Sequence, residues 1–126
     1  MVVNPAHAMA EQARENARLA TNLPERDKRR KNGSNGTYTF VYFGQLRAGL
    51  MEGLGVKTWS NGDKYEGMFR DDKKHGQGIQ RWSNGKIYEG SFENDKMRGQ
   101  GIYRWPDGKI YEGSFENGTL LYISDN

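Results

Sequence analysis

The chain is predicted to fold as an all-β protein, an elongated single-layer antiparallel meander of about eight short strands preceded by an N-terminal helical arm. Three observations carry this. First, a unit recurs every 23 residues: Tyr65-Glu66-Gly67, Tyr88-Glu89-Gly90 and Tyr111-Glu112-Gly113 open successive copies, and Gly76/Gly78 with Gly99/Gly101, Trp82 with Trp105 and Gly85 with Gly108 keep step. A fixed period of this length marks a repeat architecture. Second, the apolar content is aromatic (Trp 3, Tyr 7, Phe 5), while 15 of the 17 glycines lie from Gly44 onward. That suits a thin, turn-rich sheet better than a thick aliphatic core. Third, the first residues lack the repeat and are rich in helix formers.

These features divide the 126 residues into an extension over residues 1–36 and a sheet over residues 37–126. The net charge is +3, and all of the basic excess sits in the extension, which has seven bases and four acids. There is no cysteine, so a disulfide, a thiolate metal site and a cysteine nucleophile are excluded. No apolar run approaches the ~20 residues that span a bilayer, and no signal-peptide core is evident at the N-terminus. A cytoplasmic location is expected.

In chain order, Asn4-Pro5 reads as a helix start, a capping residue followed by Pro at the first helical position. A helix is predicted over residues 6–22, with Glu11–Arg14 and Glu15–Arg18 as i,i+3 pairs. Leu23-Pro24 ends it. Met9, Ala13, Ala17 and Ala20 form a narrow stripe of mostly small residues. Such a helix is marginal alone in water. Two readings stay open: a solvated arm, or a helix docked on a partner or back on the sheet. Arg26, Lys28, Arg29, Arg30 and Lys31 form a basic patch, read either as a solvated linker or as a contact for anionic lipid, nucleic acid or acidic protein tails. Asn32-Gly33-Ser34-Asn35-Gly36 reads as a flexible hinge.

The repeats begin with an imperfect copy at Tyr42-Phe43-Gly44, continue from Tyr65, Tyr88 and Tyr111, and break off after Gly118. Each unit reads as two strands and two turns. Pro106-Asp107-Gly108 suits a three-residue loop, a type I turn closed by a left-handed glycine. That loop pairs Trp105 with Lys109, Tyr103 with Tyr111, Gly101 with Gly113 and Gly99 with Phe115. Cross-strand partners share a face, so the aromatics gather on one side. Gln100, Ile102, Arg104, Glu112 and Ser114 fall on the other. Glycine opposite an aromatic leaves room for the ring to lie flat. The second connection, residues 93–98, reads as a longer polar loop. Leu120, Leu121, Tyr122 and Ile123 are expected to cap the C-terminal edge or join another chain.

The pattern Y-E-G-x-F-x-N/D-x-K-x-x-G-x-G-x-x-x-W-x-x-G resembles the MORN repeat, the membrane occupation and recognition nexus motif, over about Phe40 to Gly118. The resemblance implies a twisted all-β sheet with an aromatic-lined groove that serves in protein interaction and scaffolding, with self-association or phosphoinositide binding in some members. It also implies ciliary, cytoskeletal or membrane-junction settings.

No catalytic constellation emerges. Glu66, Glu89 and Glu112 recur about 10 Å apart along the sheet, too far apart for a retaining glycosidase pair, and are expected to be solvated and paired cross-strand. His7 and His75 lack metal-ligand spacing. No enzyme activity, metal, cofactor or nucleic acid is expected. The expected partner site is the aromatic groove: Tyr42, Trp59, Tyr65, Phe69, Trp82, Tyr88, Phe92, Tyr103, Trp105, Tyr111 and Phe115. The expected function is a non-catalytic scaffold or adaptor in a multi-subunit cytosolic assembly, of ciliary axonemal or cytoskeletal kind. One alternative is a peripheral tether for anionic phospholipid, using the basic patch with Lys73, Lys74, Lys86 and Lys109. Another is a targeting subunit of an enzyme acting in trans. The unpaired sheet edges offer a further route to self-association.

Overall fold

A computed structural model describes residues 4–121. One helix, α1 (Pro5–Thr21), is followed by a 3-10 turn (Glu25–Asp27) and nine strands. These are β1 (Arg29–Ser34), β2 (Thr39–Arg47), β3 (Leu50–Trp59), β4 (Lys64–Arg70), β5 (Lys73–Arg81), β6 (Ile87–Glu93), β7 (Lys96–Arg104), β8 (Ile110–Glu116) and β9 (Thr119–Leu120). All nine lie in one antiparallel sheet in sequence order. Tyr122 and Ile123 lie outside the described residues.

The helix starts where Asn4 directs it. Its Oδ1 accepts from the Ala6 amide at 2.9 Å, satisfying a donor that the first turn leaves unpaired, and Pro5 follows. At the other end Asn22 Nδ2 donates to the Arg18 carbonyl at 2.8 Å, and Pro24 prevents continuation.

The Trp turns are as the proline implied. The Gly108 amide donates to the Trp105 carbonyl at 3.0 Å, the Trp105 amide donates to the Lys109 carbonyl at 2.9 Å, and Gly108 has φ +93°. Trp59 and Trp82 head the same loop. The register is Tyr103↔Tyr111, Gly101↔Gly113 and Gly99↔Phe115.

The other connection differs from expectation. Residues 93–98 contain no long loop. The ladder runs on through Phe92↔Met97 and Glu93↔Lys96, so only Asn94 and Asp95 turn, with φ +50° and +71°. This is the pattern of a type I′ hairpin, whose twist matches that of the flanking strands. Asp71-Asp72, Ala48-Gly49 and Asn117-Gly118 do the same. The extra residues are taken up by a bulge opposite Gly90–Phe92, where Gly99 is left-handed at φ +86°. Successive turns are tied together. Asp72 Oδ1 accepts from the Met51 amide and Asp95 Oδ1 from the Lys74 amide, both at 2.8 Å.

Residues 29–34, expected as basic linker and hinge, instead form β1, because their backbone pairs with β2 from Arg29↔Gly44 to Ser34↔Thr39. The sheet therefore begins at Arg29 rather than at residue 37, and has nine strands rather than about eight.

The main core is aromatic. Tyr42, Tyr65, Tyr88, Phe69, Phe92 and Phe115 are all buried with Met51. Their rings meet edge to face in an alternating chain. Tyr65 contacts Phe69 at 5.0 Å and Phe92 at 5.1 Å, and Tyr88 contacts Phe92 at 5.2 Å and Phe115 at 4.7 Å. Each contact contributes about 0.5–1.5 kcal/mol beyond burial. Glycine makes the room: a Cβ on Gly101 would fall 2.5 Å from Tyr88 Oη. That hydroxyl donates to the Ser91 carbonyl at 2.9 Å, as Tyr65 does to Met68 at 2.8 Å and Tyr42 to Gln45 at 2.6 Å.

Candidate interaction surfaces

The strand register sorts the side chains into two rows. One face carries Lys31, Tyr42, Lys57, Tyr65, Gln80, Tyr88, Tyr103 and Tyr111; the other carries Phe43, Val56, Glu66, Ile79, Glu89, Ile102 and Glu112. Most of the second face is not left to solvent, although Phe43 on β2 stays exposed. Helix α1 lies across it and contacts strands β3 to β8. Ala6 and Ala10 pack on Ile102; Ala13 and Ala17 pack on Ile79. The stripe that docks is thus Ala6, Ala10, Ala13, Ala17 and Ala20, all buried, and Met9 stands to its side. Alanine permits this docking because its side chain does not hold the helix away from the sheet.

The repeated glutamates anchor the helix. His7 Nε2 meets Glu112 Oε2 at 2.6 Å, Arg14 Nη1 donates to Glu89 Oε1 at 3.1 Å, and Thr21 Oγ1 donates to Glu66 Oε2 at 2.8 Å. These three helix positions are seven residues apart, while the three glutamates are 23 apart. The two spacings coincide in space. Seven helical residues rise ~10.5 Å, and one repeat of two strands advances about 9.6 Å. The helix runs antiparallel to the repeat order and reads one repeat every two turns.

This corrects the expectation of solvated carboxylates for two of the three, while Glu112 stays exposed. Glu66 and Glu89 are each only 8% exposed. Each still has its cross-strand partner: Arg81 Nε on Glu66 and Arg104 Nε on Glu89, both at 3.1 Å. Glu89 Oε1 therefore accepts from two arginines, one on the helix and one on the sheet. Arg14 serves this bridge instead of the expected pair with Glu11. The arm is a docked second layer on one face, held by its own sheet.

On the aromatic face the predicted groove residues separate into two sets. Tyr42, Tyr65, Phe69, Tyr88, Phe92 and Phe115 are buried against one another and offer almost no surface. Burial pushes the hydroxyls of Tyr42, Tyr65 and Tyr88 above the ordinary tyrosine range. Trp59, Trp82, Tyr103, Trp105 and Tyr111 are half-buried. Trp82 and Trp105 flank Tyr103 at 5.5 and 4.7 Å. Of the predicted groove residues, this second set has surface to offer another molecule.

Two lysines on that face escaped the sequence reading as groove residues. Lys57 Nζ stands 4.2 Å from the Phe40 ring centroid and 4.5 Å from that of Trp59. Lys74 Nζ stands over Phe92 and Tyr65 and donates to Gln80 Oε1 at 2.8 Å. Strand alternation was the available signal: Lys57 pairs with both Tyr42 and Tyr65.

The basic patch does not form one surface. In β1, Lys31 pairs with Tyr42 and Arg30 with Phe43, so they point to opposite faces. Lys31 Nζ is held by Asp72 at 2.8 Å and by the Gly49 carbonyl at 2.9 Å. Arg30 lies over the Phe43 ring at 5.7 Å. Arg29 donates to the Arg26 carbonyl at 2.8 Å, and Lys28 faces Glu25 at 3.4 Å.

No curated protein sequence matches the chain closely enough to count as a relative. The family model of the MORN repeat matches residues 42–64, 65–87 and 88–110, the copies opened by Tyr42, Tyr65 and Tyr88. Those matches cover more than half of the chain, their boundaries coincide with the 23-residue unit of the sheet, and MORN repeats are in general non-enzymatic modules for protein or membrane interaction. The chain belongs to the MORN-repeat family.

Proposed function

We propose that the protein is a non-catalytic adaptor that holds a peptide or helical segment of another subunit on its aromatic face, within a larger cytosolic assembly of ciliary axonemal or cytoskeletal kind. The observation that carries this is the asymmetry of the two faces. One face is already occupied by α1 from β3 to β8. On the other, Trp59, Trp82, Tyr103 and Trp105 keep part of their ring surface in solvent. Rigid half-buried aromatics are the side chains that contribute most at interfaces, because they lose little conformational entropy on binding.

The test replaces Trp82 and Tyr103 by Ala, in a variant whose melting temperature stays near that of the parent. Cross-linking mass spectrometry on the native assembly is then compared for the two. Loss of cross-links from the aromatic face to a partner subunit is expected; an unchanged cross-link map would refute the reading. The tether for anionic lipid has less support, since the basic run is split between faces and Lys31 is bound to Asp72. Flotation with vesicles containing phosphatidylserine separates the two, because a tether binds in a salt-sensitive way and an adaptor does not. The outer edge of β1 remains the site at which self-association by strand addition is proposed.

A further inference from the structure

The repeat copies act as controls for one another. Equivalent positions meet equivalent backbone, so a departure from the shared side chain is not demanded by the fold. Two departures coincide on the aromatic face. The position filled by Met51 in the first copy and Met97 in the third holds Lys74 in the second. The position filled by Gln80 in the second copy and Tyr103 in the third holds Lys57 in the first. Methionine at the Lys74 site fills the same space without a charge to desolvate.

Both ammonium groups are aimed over rings. Lys57 Nζ sits 4.2 Å from the Phe40 centroid; Lys74 Nζ sits 5.3 Å from that of Phe92 and 5.7 Å from that of Tyr65. Among the described residues neither forms an ion pair. Burial pushes both below the ordinary lysine range, Lys74 down to about 8, and the nearby Lys57 charge adds to the shift of Lys74. The carboxylates whose field reaches them are otherwise engaged. Asp72 binds Lys31 and the Met51 amide, Asp95 the Lys74 amide, and Asp63 the Ser83 amide. Two cations have thus been partly stripped of water, placed among rings and left without a counter-charge in contact.

We propose that the aromatic face selects an acidic peptide, seating an Asp or Glu side chain of the partner at Lys57 and Lys74 while flanking apolar side chains lie on Trp82 and Tyr103. The inference rests on the aromatic face being the partner site. Charge complementarity identifies the occupant: a carboxylate brought to half-dehydrated ammonium groups forms charge-assisted hydrogen bonds stronger than those it had with water-exposed lysine. A single side chain reaches cations set among rings, which a flat layer of lipid headgroups does not.

The test selects peptides from a random display library on three forms of the full chain. They are the parent, the double variant Lys57→Gln with Lys74→Met, and the double variant Trp82→Ala with Tyr103→Ala. The first double variant uses residues the chain itself places at equivalent positions, so the fold is retained, and a melting curve checks this. The expected result is Asp and Glu enrichment among peptides selected by the parent. A fluorescein-labelled acidic peptide from that pool binds the lysine variant about tenfold or more weakly, and that variant selects neutral apolar peptides. Peptides without acidic bias, or an acidic peptide bound equally by parent and lysine variant, overturn the proposal and leave the aromatic-face reading standing. Selected peptides that bind the Trp82→Ala, Tyr103→Ala variant as well as the parent overturn the aromatic-face reading itself. Vesicles containing phosphatidylserine bound through Lys57 and Lys74, with no acidic peptide selected, overturn the proposal in favour of lipid.

Discussion

Replacing Ala13 by Leu is expected to loosen α1 while leaving the sheet folded. Ala13 is fully buried between α1 and the sheet, packed with Ala17 and Ile79. The docking that it shares is modest. Five buried alanines contribute about one methyl each, at roughly 0.8 kcal/mol, so the helix's share of the apolar contact is about 4 kcal/mol, beside what Ile79 and Ile102 bury on the sheet side. Half-exposed partners such as Arg14 and His7 add little, and the isolated helix is marginal. Leucine places extra carbons where the helix backbone approaches the sheet, an overpacking that costs about 1–3 kcal/mol. That is a large share of the docking energy and a small share of what holds the aromatic core. Amide exchange within α1 is therefore expected to accelerate by roughly 5- to 150-fold at fixed pH, with exchange in β6 and β7 unchanged. Arg18→Ala on the outward face serves as the control and leaves α1 protection intact. Unchanged α1 exchange in the Leu variant would refute the alanine interface as the docking surface. Equal acceleration in α1 and the central strands would refute the claim that the sheet stands without the helix.

Four further outcomes follow from the same geometry. A Cβ on Gly90 would lie 2.6 Å from Gly101 Cα and 2.7 Å from the Gln100 carbonyl oxygen, both backbone; Gly90→Ala should destabilise by about 3 kcal/mol or more in urea, against about 1–2 kcal/mol for Gly108→Ala, where only the left-handed φ is at stake. Arg14→Ala alone should cost less than about 1 kcal/mol, whereas removing Arg14 and Arg104 together leaves the Glu89 carboxylate buried without a cation and should cost about 3–5 kcal/mol, read as a shift in urea midpoint. Ala48 is the one turn position of its kind without Asn or Asp, at φ +52° where Asp71, Asn94 and Asn117 stand in the other copies; Ala48→Asn should raise stability by about 0.5–1 kcal/mol. Stability should also rise as pH increases from about 8 toward 10, because the Lys74 ammonium holds its proton less tightly in the fold than in the unfolded chain. Above pH 10 the sign reverses: Tyr42, Tyr65 and Tyr88 keep their protons in the fold and lose them when unfolded. Lys74→Met should reduce the rise to the part that Lys57, also pushed below the ordinary lysine range by burial, contributes, and should keep the fall; a flat profile in the parent would contradict the burial of the Lys74 ammonium.

The hairpin built on Pro106 was legible because its signals are local. Proline in second place and glycine in fourth admit few turns, and the choice of a three-residue loop carries the register of the whole ladder with it. The I′ turns are equally local, yet in sequence Asn94-Asp95 looks like part of a longer loop. The reason is that the glycine bulge at Gly99 hides the continuity of the ladder. The aromatic row was legible as a row, but its division was not. Tyr88 and Trp82 look alike in sequence, and only the packing of rings from neighbouring repeats makes one core and leaves the other half in solvent. The basic run failed as a patch for a simple reason: backbone pairing with β2 turned it into a strand, and a strand sends alternate side chains to opposite faces.

Period, turn chemistry and the segregation of rings from glutamates thus follow from residues within one 23-residue unit and its neighbours. The place of α1 does not. Its alanines carry too weak an apolar signal to announce a partner, and its spacing of seven means nothing until it is laid against the sheet. The helix rise and the strand separation are properties of two different hydrogen-bonding patterns. That seven residues of one match 23 of the other is a long-range coincidence visible only once both are assembled. It is this match that places Arg14 on Glu89, gives the Glu face to the chain's own helix, and leaves the aromatic face, with Lys57 and Lys74 upon it, as the surface turned outward.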